Sequence, residues 1–294
     1  MNNIFKGLIT AIITPFKNNQ LDLVALGKIL EYQIEHNVDG VVIAGTTGEG
    51  SSLSHNEYKI LLQSAIAIVQ KRMPIIAGCC SSNTMVALDI ALICQEVGVD
   101  GLMCTIPPYV KPTTEGIYQH IKTIHDATSL PIMIYNTQSR TGVNISDENI
   151  LRLADLPRVM ALKDTGTDIE RPLRLNPLLK QIKQNFNLLT GDDPIALAYR
   201  AHGGVGCVSV AGNIVPKLCK NLQICCERND FATALTIHQQ LFPLYQALFA
   251  ETNPMPVKYA ASYLGLCTEE LRLPLVAAST ETRKSIVQAM NTLI

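Results

Sequence analysis

Lys163 closes the apolar run Val159-Met160-Ala161-Leu162, so its stem starts inside a hydrophobic wall and not on a polar helix face. Two uses fit such a lysine. It can snorkel, laying its methylenes along apolar surface to reach water. It can also act as an amine nucleophile, because a crowded apolar setting disfavours an ammonium and the free amine captures a carbonyl as a Schiff base. The lysine alone leaves both open.

Other chemistry-bearing residues sit where apolar runs end. Gly45-Thr46-Thr47-Gly48-Glu49-Gly50 comes close to a phosphate loop, but Ser51 stands where that motif needs lysine, which argues against a nucleoside triphosphate. The loop is either a plain strand-to-helix turn or a place where backbone N–H groups with Thr46 and Thr47 hold a compact carboxylate. Tyr135 ends Ile132-Met133-Ile134, and Tyr109 follows Pro107-Pro108. Each fits as an amphipathic packing residue; together with Thr47 they form a set of hydroxyls able to pass a proton near Lys163. Arg140, in Ser139-Arg140-Thr141-Gly142, is a solvated loop charge or a planar fork for a carboxylate.

Competing chemistries find little support. Six histidines make no H-E-x-x-H, nine cysteines make no C-x-x-C, and no G-x-S-x-G elbow is present, so neither a metal centre nor a serine nucleophile is expected. The acidic pairs Asp192-Asp193 and Glu269-Glu270 are adjacent residues that do not converge like glycosidase carboxylates, and read as capping or solvated groups. A formal net charge of −1 without a basic run excludes nucleic acid as a partner.

The 294 residues, 47% hydrophobic and 17% charged, have a soluble globular composition. Mean hydropathy is +0.18, yet no apolar stretch approaches the 18 or so residues that span a bilayer, so no membrane is expected. Leu8 to Ile13 is followed by Pro15 and Lys17 without a small-residue cleavage site, which argues against a secretory leader. Most cysteines fall in apolar segments as small hydrophobes, and a reducing cytoplasm is the expected compartment.

The elements that must position these residues follow a regular beat. Apolar runs occur at Leu8 to Thr14, Gly40 to Ala44, Pro74 to Cys79, Gly101 to Ile106, Pro131 to Asn136, Val159 to Lys163, Phe186 to Thr190 and Gly204 to Val210. They are nearly continuous, as in parallel strands buried on both faces. Amphipathic stretches lie between them, with helix starts marked by Asp22, by Ser54 with Glu57, by Thr84 and by Ser146. Eight such units without a linker predict an α/β fold, one closed (β/α)8 TIM barrel over residues 1–224, with a C-terminal helical region over 225–294. A doubly wound sheet would need a dinucleotide fingerprint, and Ser209 stands where its third glycine belongs. In a barrel the active site lies at the C-terminal ends of the strands, where Thr46, Thr47, Tyr135 and Lys163 fall.

Gly45-Thr46-Thr47-Gly48-Glu49, Tyr135-Asn136 followed by Ser139-Arg140-Thr141-Gly142, Leu162-Lys163-Asp164 and Gly191-Asp192-Asp193 together resemble the dihydrodipicolinate synthase family of pyruvate-dependent class I aldolases. The resemblance spans essentially the whole chain. It implies that Lys163 forms an imine with pyruvate, which tautomerises to an enamine and attacks L-aspartate 4-semialdehyde. Thr46 and Thr47 would hold the pyruvate carboxylate, Tyr135, Thr47 and Tyr109 would form the proton relay, and Arg140 would bind the second carboxylate. Gly191 and Val208 would line the pocket. Tyr109 would reach in from a neighbouring subunit of a homotetramer built as a dimer of dimers. No cofactor is implied, since the iminium is itself the electron sink. The chain departs from the family pattern at Gln138, where proline is common, and at Ile106-Pro107-Pro108-Tyr109, where Thr-Pro-Tyr-Tyr is common.

The nearest rival is a sugar-acid lyase such as N-acetylneuraminate lyase, which would share Lys163 and Tyr135 but not Arg140 or the Thr46-Thr47 pair. A catalytically silent keto-acid sensor is a rival of another kind, opposed by the intact set of hydroxyls. The resemblance also implies resistance to feedback by lysine. Ser82, Val86, Tyr58 and Pro108 replace the Asn, Glu, His and Tyr of lysine-sensitive members, and only His55 is kept.

Overall fold

The computed structural model describes residues 3–166 and 168–293. Among them the apolar runs become parallel strands β1 (Gly7–Ala11), β2 (Gly40–Ile43), β3 (Ile75–Cys79), β4 (Gly101–Thr105), β5 (Ile132–Thr137), β6 (Val159–Thr165), β7 (Asn187–Thr190) and β8 (Gly206–Ser209). Each pairs with its sequence neighbour and β8 returns to β1, closing the barrel that the spacing predicts. Helices lie between the strands, and their apolar faces pack on the outside of the barrel in one continuous core.

Burial on both faces explains the unbroken hydrophobicity of the strands. Their outer side chains join the core under the helices, while Ile9, Val42, Ile76, Met103, Met133 and Leu189 pack inside the barrel. Side chains two apart on a strand share a face. Tyr135 therefore follows Met133 into the interior, and Lys163 follows Ala161, both at the C-terminal rim.

Helix starts obey local capping chemistry. The Asp22 and Ser146 side chains accept the N–H groups of Ala25 and Asn149, and Ser54 with Glu57 forms a reciprocal capping box. The third start is corrected by one residue. Asn83, not Thr84, is the cap: its side chain accepts the Met85 N–H at 2.9 Å, while the Thr84 hydroxyl bonds His120 Nδ1 at 3.0 Å.

Beyond β8 the chain runs through helices Pro216–Glu227, Phe231–Leu248, Met255–Tyr263 and Thr280–Met290. Lys258 ties this region to the second strand's loop. Its ammonium pairs with Glu49, both side chains are fully buried, and it stands 4.4 Å from the centroid of Phe16. The other Glu49 oxygen accepts the Arg272 N–H at 3.0 Å. Removing either partner would strand a buried charge, a loss of about 3–5 kcal/mol. Among the described residues no helix is long and apolar enough to cross a membrane, and all nine cysteines are free.

Candidate active site

The strands β5 and β6 pair so that Tyr135 lies opposite Lys163 and Asn136 opposite Asp164. Lys163 Nζ stands 4.1 Å from the Tyr135 ring centroid, and both side chains are buried. An aromatic face attracts an ammonium through the ring quadrupole without the tight hydrogen bonds of a carboxylate, so the nitrogen stays available to a third party. Burial pushes the Tyr135 phenol up, but the Lys163 ammonium together with the Thr137 and Thr165 hydroxyls outweighs it, and the net shift is downward. A phenol biased toward giving up its proton beside an amine is suited to proton exchange.

The next strand leaves space for the lysine. A Cβ at Gly191, just past β7, would overlap Lys163 Cε, so a side chain here would displace the amine. Val208 on β8 is fully buried in the interior cluster that contains Tyr135 and Ala161. Asp164, beside the lysine in sequence, points into the opposite layer. Its carboxylate takes Arg171 Nη1 at 3.0 Å and Asn136 Nδ2 at 2.7 Å. Burial raises the Asp164 carboxyl against the pull of Arg171. This buried pair anchors the strand end that carries Lys163.

The hydroxyl loop after β2 is folded tightly on itself. Gly50 N–H donates to the Gly45 carbonyl at 3.1 Å, and a Cβ at Gly50 would overlap the Ala44 carbonyl. Glu49 takes a left-handed φ of +50°, held by its bonds to Lys258 and Arg272. Thr47 is buried and its Oγ1 accepts Asn253 Nδ2 at 2.9 Å. Arg140 lies in the one-turn helix Gln138–Thr141 after β5, and its Nη2 donates to the Asn253 carbonyl at 3.0 Å. One residue thus grips both the loop hydroxyl and the guanidinium.

Two cavities open at this rim. One, about 270 Å³, is lined by Thr46, Thr137, Arg140 and Asn253, and the other, about 550 Å³, by Gln138, Thr165, Gly166, Asp192 and Phe249. Thr137 and Thr165, which line these cavities, each stand two residues beyond Tyr135 and Lys163 on their strands. Burial pushes the Asp192 carboxyl up to about 6, against the opposing Lys163 ammonium.

Lys163, Tyr135, Thr46, Thr47, Arg140, Gly191 and Val208 are therefore gathered at one end of the barrel. Tyr109 follows β4 at the same end, where its neighbour Pro108 lines the smaller cavity, but its own side chain is 91% exposed, with a φ of +70°. Sequence reasoning missed Asn253, which precedes Pro254 and carries no motif that marks it as part of a site. The acidic pair divides: Asp193 is a buried cap for the N–H groups of Val210 and Ala211, whereas Asp192 faces the larger cavity.

The model of the dihydrodipicolinate synthetase family matches residues 4–293. A 4-hydroxy-tetrahydrodipicolinate synthase of Rickettsia bellii is 59% identical over 293 residues, covering 100% of this chain and 99% of the relative. Among solved structures, dihydrodipicolinate synthase from Thermotoga maritima superposes with a TM-score of 0.96 at 36% identity, covering 99% of this chain and 100% of that one. The enzyme from Cyanidioschyzon merolae, solved with lysine bound, gives a TM-score of 0.95 at 31% identity and 99% coverage of both chains. With the match running almost end to end, the chain belongs to the dihydrodipicolinate synthetase family.

Proposed function

We propose that this chain, a class I aldolase-type lyase, condenses pyruvate with L-aspartate 4-semialdehyde to give 4-hydroxy-tetrahydrodipicolinate, a step of lysine and diaminopimelate biosynthesis. The observation that carries the reading is Lys163 buried at the barrel mouth against the Tyr135 ring, with Gly191 leaving room beside its stem. Lys163 Nζ adds to the pyruvate ketone, and loss of water leaves an iminium. Departure of a methyl proton gives the enamine, whose carbon forms a bond to the aldehyde carbon as the aldehyde oxygen gains a proton. The nitrogen of the ring product must then come from the semialdehyde, because the lysine nitrogen returns to the enzyme. Attack of that amino group on the iminium carbon closes the ring and expels the Lys163 amine.

In this reading Thr46 and Thr47 hold the pyruvate carboxylate and Arg140 the second one, as a planar guanidinium suits. Tyr135 and Thr47 move protons, and Gly191 and Val208 shape the space around the imine. The exposure of Tyr109 supports its service in a neighbouring subunit, within a homotetramer made of two dimers. Residues 1–224 act as the catalytic barrel and 225–294 as the helical region closing its mouth. No resident cofactor is needed, and the compartment is the cytoplasm. An assay of pyruvate with aspartate 4-semialdehyde, run beside pyruvate with N-acetylmannosamine, tests the proposal. Consumption of the semialdehyde supports it, and consumption of the amino sugar alone overturns it.

A further inference from the structure

The side chain of Asn253 is used at only one end. Its Nδ2 donates to Thr47 Oγ1 at 2.9 Å and its main-chain carbonyl accepts Arg140 Nη2 at 3.0 Å, yet its Oδ1 is buried with no hydrogen-bond partner. The residue is 9% exposed and lines the 270 Å³ cavity with Thr46 and Arg140. An acceptor left unsatisfied in such a place carries an uncompensated desolvation penalty, so a donor belongs there when the site is in use.

Arg140 presents a fork for a carboxylate at the same cavity, and its Nη2 is bonded to the same residue that offers the free Oδ1. A carboxylate and an amino group on one α-carbon would meet these two groups together. We infer that Asn253 Oδ1 accepts the ammonium of the second substrate, so that Arg140 and Asn253 read the amino-acid end of the aldehyde as a pair. This rests on the function proposed above.

Asparagine suits the task better than an acid. The amino group has to shed a proton before it can attack the iminium. A neutral carbonyl orients the ammonium without the Coulombic hold of a carboxylate, which would keep the proton on. The other end of the amide has a separate consequence. A threonine oxygen that accepts the Asn253 N–H has its single proton free to point elsewhere, and Thr47 is thereby set as a donor toward the site.

The test compares aspartate 4-semialdehyde with succinate semialdehyde, which lacks only the amino group, in the intact enzyme and in Asn253→Ala and Asn253→Asp. Aldehyde consumption gives kcat and KM, and borohydride trapping of pyruvate on Lys163 is read separately. The intact enzyme is expected to prefer the amino-aldehyde at least 10-fold in kcat/KM. Asn253→Ala should compress that preference to within about 3-fold, chiefly through a raised KM for the amino-aldehyde. Asn253→Asp, which keeps an acceptor but holds the proton on the amine, should keep that KM near parental while lowering kcat. An unchanged preference in Asn253→Ala, with trapping intact, overturns the inference. Should the alanine variant not fold, parity between the two aldehydes in the intact enzyme overturns it equally. Failure of the underlying function would look different: no pyruvate trapped by the intact enzyme.

Discussion

Lys163 and Tyr135 are neighbours across β5 and β6 at the same register, with the lysine nitrogen 4.1 Å from the centre of the tyrosine ring. In the mechanism proposed above, ring and hydroxyl have separable duties, the first facing the amine and the second exchanging protons. Borohydride with pyruvate should label Lys163 in the intact enzyme and in Tyr135→Phe, which keeps the ring. Turnover in Tyr135→Phe should fall about 10²–10⁴-fold, the usual scale of a lost acid–base group. Lys163→Ala should lose label and turnover alike. Label on another lysine would remove Lys163 from the mechanism.

Gly191→Ala tests the space beside the amine. The added methyl meets Lys163 Cε, so either the lysine or the β7 end must move. A loss of about 1–3 kcal/mol in unfolding free energy is expected, together with pyruvate labelling at least 10-fold slower than in the parent. Labelling at the parental rate would mean that the stem of Lys163 is freer than this packing implies.

Arg140→Ala should raise KM for aspartate 4-semialdehyde about 10- to 100-fold, the scale of a lost charged hydrogen bond, while pyruvate trapping stays near parental. Arg140→Lys should rescue little, because an ammonium lacks the planar fork. Parallel loss of trapping and aldehyde use would assign the arginine to loop structure instead.

Asp192 gives a pH signature. Its carboxyl is raised by burial to about 6 in the fold, while an unfolded chain ionises near about 3.9. Between those values the folded protein holds a proton that the unfolded chain has released, so stability falls as pH rises from about 4 to about 6. The contribution is of the order of 2 kcal/mol after allowance for its partial exposure. Denaturant unfolding of the parent and Asp192→Asn at pH 4, 5, 6 and 7 should show the parent losing that much more stability than the variant over this range. Parallel curves would refute it.

Millimolar lysine is expected to leave activity unchanged. Tyr58, which by the resemblance stands where lysine-sensitive members have histidine, is buried, and its hydroxyl donates to the Gly78 carbonyl at 2.6 Å. It has no spare group for a ligand. Val86 and Pro108, in the other replaced positions, cannot compensate an ammonium taken out of water. Half-inhibition at submillimolar lysine in the coupled assay would contradict this.

The parts of the molecule that could be read from sequence are those whose physics is local. A strand buried on both faces shows as an apolar run, and the polar residue that ends it marks the rim, which is how Lys163, Tyr135 and Thr47 were found. Capping is local too, although Asn83 and Thr84 are both residue types that cap, and only the tertiary bond of the Thr84 hydroxyl to His120 leaves the capping to the Asn83 amide oxygen. Asn253 escaped because its role depends on Thr47 and Arg140, 206 and 113 residues away. A proline at 254 suggests a break whatever the asparagine side chain does. Asp192 and Asp193 are neighbours with opposite fates for the same reason, since what each faces is set by β8 and by the cavity.

The pairing of Glu49 with Lys258 also fixes when in the life of the molecule the site can exist. The two residues are 209 apart, so at about 5–20 residues per second a ribosome exposes the Gly45–Gly50 loop on the order of ten to forty seconds before its partner has been made. Through that interval the glutamate has no cation to accompany it into the protein, and it stays in water with the loop open. A nascent or prematurely terminated chain can thus own all eight strands and the lysine, yet lack a closed Gly45–Gly50 loop. Every molecule in which that loop is fastened is one in which residues 253–272 have already arrived.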